Sequence, residues 1–211
     1  MTENEKLKEA LRRDARHRAS LWLEDKTRAD KEQELLNKEL TSFLLENSEP
    51  GNGIALFAGR GAELRLEQTA RTLYEAQRVI YLPRVLSKVK AGARMGFGEV
   101  VPQEGSFTDW NLEIQSWGIA EPPLANVSVE AGDAKGKLDW IVLPCLLCDP
   151  DGYRIGHGGG YYDRFTASLK EQGSQCRLVL PLLSWQAWPE RLPRDPWDVL
   201  ADYVVRPSTD P

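Results

Sequence analysis

Residues 139–170 read DWIVLPCLLCDPDGYRIGHGGGYYDRFTASLK. The apolar run Asp139–Pro144 has the texture of a strand buried on both faces, and Asp149-Pro150-Asp151-Gly152 supplies a turn after it. Gly156, Gly158, Gly159 and Gly160 then lead into a pattern that predicts a helix over Tyr161–Gln172. Glycines crowded in this way build no core. Lacking Cβ atoms, they let backbone N–H groups approach a ligand closely, and the positive end of the following helix adds to the attraction for phosphate oxygens. The arrangement suits an anion, or, in its plainer reading, is a flexible connection between strand and helix.

Neither common nucleotide fingerprint is present. G-x-G-x-x-G starting at Gly156 would need glycine where Tyr161 stands, and no G-x-x-x-x-G-K-[ST] occurs. The company of the glycines is informative instead. Arg154 precedes them, His157 lies among them, and Tyr161, Tyr162 and Asp163 follow directly. Arginine neutralises phosphate, and an aspartate in the first helical turn can hold Mg²⁺ against it. The helix dipole also favours an aspartate there without any ligand.

Outward from this stretch, Gly53–Ala58, Arg78–Leu82, Arg177–Leu182 and Asp202–Val205 read as further buried strands, and Ala62–Glu75 as a helix. Alternation of strand and helix predicts βαβ units, hence an α/β domain with a mainly parallel sheet and helices on its faces. Residues 1–48 differ: they contain no Gly or Pro, and 21 of the 48 are charged. Leu7, Leu11 and Ala15, and later Leu36, Leu40 and Leu44, repeat at intervals of four, which predicts two helices with a break between Ser20 and Asp30. One domain over 1–211 is expected, with a helical segment at 1–48 and an α/β core at 51–206.

Composition narrows the class. Hydrophobic residues make up 41% and charged residues 28%, which excludes disordered, collagenous and fibrous chains. No apolar run approaches the roughly 18 residues of a membrane span, and the charged N-terminus lacks a signal-peptide pattern, so a cytoplasmic protein without membrane partners is expected. The net charge of −5 argues against a large nucleic-acid footprint. It conceals a basic start: Lys8, Arg12 and Arg16 stack three cations on one helix face, where they either meet an anion or are simply solvated. Cys145, Cys148 and Cys176 are an odd number and read as reduced thiols. Cys145-x-x-Cys148 has no second pair to complete a zinc site, with His17 and His157 the only histidines. Trp185, Trp188 and Trp197 lie in a Pro-rich segment that reads as a connection packed over the core, and His17 reads as solvated.

Arg154-Ile155-Gly156-His157-Gly158-Gly159-Gly160-Tyr161-Tyr162-Asp163 resembles the R-L-G-x-G-x-G-Y-Y-D signature of the 5-formyltetrahydrofolate cyclo-ligase (5,10-methenyltetrahydrofolate synthetase) family. Lys8-Glu9-Ala10-Leu11-Arg12 is similar to that family's K-x-x-L-R, Leu82-Pro83-Arg84 to its L-P-R, and Trp117 to Pro122 to its G-I-x-E-P segment. Leu200 to Val204 is similar to its late Asp-containing strand. The resemblance implies a three-layer α/β/α fold like that of the NagB/RpiA/CoA-transferase proteins. It also implies ATP-dependent cyclisation of 5-formyltetrahydrofolate to 5,10-methenyltetrahydrofolate by a monomer acting on small molecules.

Carried over by position, the resemblance implies that Lys8, Arg12, Arg154, Ile155, Gly156, His157, Gly158, Gly159, Gly160, Tyr161 and Tyr162 bind ATP. Arg154, Tyr161 and Asp163 would serve catalysis, and Asp163 and Asp202 would hold Mg²⁺. Ala58, Glu63 and Trp117 would contact the folate; read without the family, Glu63 is only an acid at a helix start. The chain departs from the pattern at Arg65 and Leu66, where the family usually has E-x-x-T, and at His157, where it has Tyr or Arg. Two other readings stand beside this one: a paralogue that keeps the ATP site for another substrate, and a nucleic-acid or partner-binding protein that uses the basic arm.

Overall fold

The computed structural model describes residues 2–87, 94–115, 118–131 and 136–208. At the N-terminus, Thr2 Oγ1 accepts from Glu5 N–H at 3.2 Å and the Glu5 carboxylate accepts from Thr2 N–H at 2.6 Å. This reciprocal cap satisfies donors that a first helical turn leaves unpaired. α1 (Glu3–Glu24) ends at Asp25, whose carboxylate accepts from Arg28 N–H at 3.1 Å and so starts α2 (Lys26–Glu46). The expected break is therefore a single residue. Leu36, Leu40 and Leu44 form the buried seam of α2, whereas the buried residues of α1 are Lys8, Ala15 and Trp22, with Leu7 51% exposed. Of the face marked by the leucine spacing, Ala15 is buried and Leu11 packs against the core, but Leu7 points outward and Lys8 takes the inner position in the first turns, opposite two carboxylates described below.

β1 (Gly53–Ala55), α3 (Glu67–Glu75) and β2 (Val79–Ser87) form one parallel crossover. β3 (Arg94–Val100) returns antiparallel to β2, the short pair β4 (Glu113–Ile114) and β5 (Ala120–Glu121) follows, and β6 (Val127–Glu130) runs antiparallel to β3. β7 (Trp140–Val142) then enters the centre beside β1. β8 (Leu147–Cys148) and β9 (Arg154–Ile155) make a small hairpin, α4 (Tyr161–Glu171) crosses over, and β10 (Arg177–Pro181) and β11 (Tyr203–Val205) complete the sheet in parallel. The order is β11-β10-β7-β1-β2-β3-β6. The antiparallel edge of β3 and β6 was absent from the sequence reading, since glycines at 96 and 98 and exposed charges interrupt the apolar pattern there.

Helices cover both faces. Leu36, Leu40 and Leu73 from α2 and α3 pack with Ile54, Ile80 and Trp140 on one side, while Phe165 and Leu169 from α4 pack with Phe97, Ile141 and Leu180 on the other. Phe43 of α2 meets Trp140 edge-to-face at a centroid distance of 5.4 Å. The N-terminal helices thus belong to a layer of the α/β core. Among the described residues, no helix is long and apolar enough to cross a membrane.

Leu40 is fully buried at the middle of the α2 seam. Leu40→Ala is expected to lower stability by about 2–5 kcal/mol, read as a lower denaturation midpoint with an unchanged denaturant slope.

Candidate active site

The C-terminal end of β7 opens into the hairpin that carries Arg154. The Arg154 side chain is only 5% exposed, so its charge needs a partner. Nη2 donates to Asp163 Oδ1 at 2.8 Å, Nη1 reaches the Pro144 carbonyl at 3.4 Å, and the guanidinium lies over the Tyr162 ring at 5.9 Å. The buried Arg154 Nε and Tyr162 hydroxyl have no partner among the described residues. Burial pushes the Tyr162 hydroxyl far above the ordinary tyrosine range, so it remains a donor at any physiological pH. Ile155 is 2% exposed and belongs to the core, with its carbonyl taken by Leu146 N–H.

The glycine loop follows directly. Gly160 adopts a left-handed conformation (φ +63°) as the N-cap of α4 and offers no side chain to the first-turn amides. Gly158 (φ +99°) lies against the Arg12 guanidinium. Arg12 Nε donates to the Gly156 carbonyl at 2.9 Å, and the Arg164 guanidinium, which sits over the Tyr161 ring, donates to the Gly159 carbonyl.

One turn before Arg12, Lys8 is 7% exposed and donates to Asp195 at 2.7 Å and to Asp198. Asn4 adds 2.6 Å to Asp195 Oδ1 and 3.1 Å to the Arg194 carbonyl. Side-chain bonding to Lys8 and Asn4 holds the Asp195 carboxyl below the ordinary aspartate range. Sequence reasoning missed Asp195 and Asp198; the available signal was an Asp-x-x-Asp spacing in a Pro-rich segment of an acidic chain that also carries a basic arm. Arg18 donates to the Ala187 carbonyl at 3.0 Å and lies over Trp188. Much of the basic face of α1 is therefore spent on docking. Trp185 is buried as expected, but Trp197 is 66% exposed.

Across from the glycines stands the loop after β1. The predicted helix there begins at Glu67 rather than Ala62, because the Gln33 side chain draws the preceding backbone to α2: it donates to the Glu63 carbonyl at 3.1 Å and accepts from Arg65 N–H at 2.9 Å. Glu63 thus lies in a turn, with Oε2 accepting from Arg60 N–H at 2.9 Å and Oε1 3.0 Å from His157 Nε2. Ala58 lines a cleft of about 210 Å³ with Arg60, Ser106, Phe107 and Ile119. Leu66 is fully buried, so its difference from the family's Thr alters packing at the start of α3 rather than the cleft wall. Trp117 lies outside the described residues. Arg84 and Glu121, from the Leu-Pro-Arg and Glu-Pro motifs, form one ion pair at 3.6 Å, with Arg84 also donating to the Pro122 carbonyl at 2.9 Å.

Asp202 is not brought to Asp163. It precedes β11, its Oδ2 accepts from Leu178 N–H at 2.7 Å, and it lies where the parallel strands begin, whereas Arg154 and Asp163 lie beyond the end of β7. Asp139 does the same before β7, accepting from Gly53 N–H at 2.8 Å. Both aspartates fix where a neighbouring strand starts. Among the described residues, no group of three or more His, Cys, Asp or Glu side chains is placed to hold a metal ion. Cys145 and Cys148 are buried, and burial raises the Cys148 thiol to about 11 and the partly buried Cys176 to about 12.

The pattern of the 5-formyltetrahydrofolate cyclo-ligase family matches residues 4–207. The 5-formyltetrahydrofolate cyclo-ligase of Escherichia coli K12 is 30% identical over 162 residues, spanning 74% of this chain and 78% of that protein. That of Mus musculus is 25% identical over 187 residues, 87% and 89% of the two chains. Among solved structures, the 5,10-methenyltetrahydrofolate synthetase of Aquifex aeolicus aligns with a TM-score of 0.67 at 26% identity, over 94% of this chain and 89% of that one. The synthetase of Mycoplasma pneumoniae aligns at 0.65 and 21%, over 95% and 99%, a likeness of fold.

Lys8→Met leaves Asp195 and Asp198 without their shared cation. It is expected to lower stability at neutral pH by about 1.5–3 kcal/mol, measured by denaturation. Asp195 titrates below its unfolded value, so its contribution is full above the ordinary aspartate range and is lost as pH falls through the folded value. The difference between Lys8→Met and the natural protein should accordingly shrink below about pH 4.

Proposed function

The chain belongs to the 5-formyltetrahydrofolate cyclo-ligase family, and from that premise we propose that it converts 5-formyltetrahydrofolate and ATP to 5,10-methenyltetrahydrofolate, ADP and phosphate. The observation that carries this reading is the convergence of Arg12, Arg154 and Glu63 on one glycine loop. The formyl oxygen on N5 is a poor leaving group. Transfer of the γ-phosphoryl group to it makes a good one, after which N10 attacks the activated carbon, the ring closes and phosphate departs. The protein's part is alignment and charge neutralisation.

In this reading Arg12, Arg154 and the amides from Gly156 to Gly160 hold the triphosphate, with Tyr161 beside it. Tyr162 supports Arg154 from below, and Ile155 anchors the hairpin in the core. Asp163 orients Arg154. Glu63 accepts from pterin N–H groups, and the cleft at Ala58 receives the flat ring; Trp117 is kept as a folate contact on the family resemblance alone. Lys8 acts by docking α1 through Asp195 and Asp198, so that Arg12 arrives at the loop. Asp163 and Asp202 do not converge, and no step is assigned to a protein-held Mg²⁺. We also place the fold with the NagB/RpiA/CoA-transferase-like proteins, and the enzyme as a cytoplasmic monomer whose 211 residues act as one domain.

Purified protein given Mg-ATP and 5-formyltetrahydrofolate should develop the methenyl absorbance with one ADP per turnover. ADP release only with another substrate would overturn the assignment in favour of a paralogue, and salt-sensitive RNA binding without nucleotide affinity would overturn it in favour of a binding protein. Arg154→Ala should reduce kcat/KM for ATP by about 10²–10³-fold, and Asp163→Ala should likewise lose most turnover, with both melting curves still cooperative.

A further inference from the structure

His157 is the residue at which the glycine loop departs most from the family pattern, and it makes a contact that the pattern does not announce. Its Nε2 lies 3.0 Å from Glu63 Oε1, across 94 positions of sequence. An ionised carboxylate only accepts, so Nε2 is the donor, and both the neutral Nε2–H tautomer and the imidazolium can make this bond. Glu63 Oε2 is held by Arg60 N–H at 2.9 Å. Each oxygen keeps further lone-pair capacity, so the carboxylate is oriented without being used up. The His157 side chain is 61% exposed and that of Glu63 12%. This is a polar bridge laid over the surface between two loops, with little packing to explain it.

We propose that His157 is a positioning residue that couples the two halves of the site: it ties the carboxylate that receives the pterin to the loop that receives the triphosphate. The inference rests on the reading of those two halves given above. The loop is suspended from Arg12 at Gly156 and from Arg164 at Gly159. Any adjustment of the loop around phosphate oxygens therefore moves Nε2 relative to Glu63, and substrate that fixes Glu63 holds the loop in return. Linkage makes this reciprocal.

The test uses the full chain and three proteins: the natural one, His157→Gln, which keeps an N–H donor, and His157→Ala, which keeps none. The dissociation constant of 5-formyltetrahydrofolate is measured with and without the imido analogue of ATP. The natural protein should show at least about fivefold tightening by the analogue, His157→Gln should stay within about twofold of that factor, and in His157→Ala it should fall below about twofold. Equal coupling in the natural protein and His157→Ala, absence of coupling in the natural protein, or coupling in His157→Gln as weak as in His157→Ala would each overturn the inference while methenyl formation still stood. A natural protein that forms no methenyl product would overturn the functional reading together with it.

Discussion

A buried guanidinium organises this molecule. Arg154 sits beneath the glycine loop with 5% of its side chain exposed, and a charge in that position survives only if the fold surrounds it with acceptors. Asp163 supplies the countercharge from the first turn of α4, the Pro144 carbonyl supplies an acceptor from the end of β7, and the Tyr162 ring supplies a π-face. These three contacts fix the hairpin of β8 and β9, the direction of α4 and the exit of the central strand relative to one another. The loop between Arg154 and Asp163 has little freedom left in where it goes. Its glycines decide only how closely its backbone passes Arg12 and whatever anion lies there.

The chain's two ends are drawn to the same place by electrostatics. α1 presents Lys8 and Arg12 one turn apart; Lys8 is received by Asp195 and Asp198, and Arg12 by the Gly156 carbonyl. An ammonium that is 7% exposed between two carboxylates locks the N-terminal helix to the segment before β11. With that segment fixed, the helix can lie in only one register along the core, and Arg12 reaches the loop. The acidic total of −5 and the locally basic arm are parts of one arrangement.

How much of this could be read beforehand follows from the range of each signal. The parallel strands at 53–55, 140–142, 177–181 and 203–205 and helix α4 have continuous apolar or periodic patterns, and their positions were evident within a few residues. The glycine loop and Arg154 announced themselves by composition. β3 and β6 did not, because an antiparallel edge with glycines at the crowded positions shows no apolar run. At the start of α1 the spacing marked Leu7 where Lys8 is buried, because burial there is decided by carboxylates 187 and 190 positions away, while Leu11 and Ala15 lie on the core side as the spacing implies. Asp202 was placed with Asp163 on family resemblance alone. Nothing local distinguishes an aspartate at the start of a strand from one at the end of another. The bonds of Asp139 to Gly53 and of Asp202 to Leu178 form a repeated device that only the strand order reveals.

The same geometry bears on how a loop without side chains holds an anion. All the described peptide bonds are trans, and in a trans peptide the carbonyl of one residue and the N–H of the next point in opposite directions. The Arg12 and Arg164 guanidinium groups hold the Gly156 and Gly159 carbonyls. They thereby turn the N–H groups of His157 and Gly160 away from themselves. Two arginines on two helices thus set the direction of these amides. An anion arriving at those amides meets dipoles already aimed, with the positive end of α4 behind them and the Arg154 charge beneath. Preorganisation of this kind requires that the cations be committed to carbonyls before the ligand comes. Each such bond leaves the arginine with fewer donors for phosphate, and in exchange the loop backbone is already shaped to receive one.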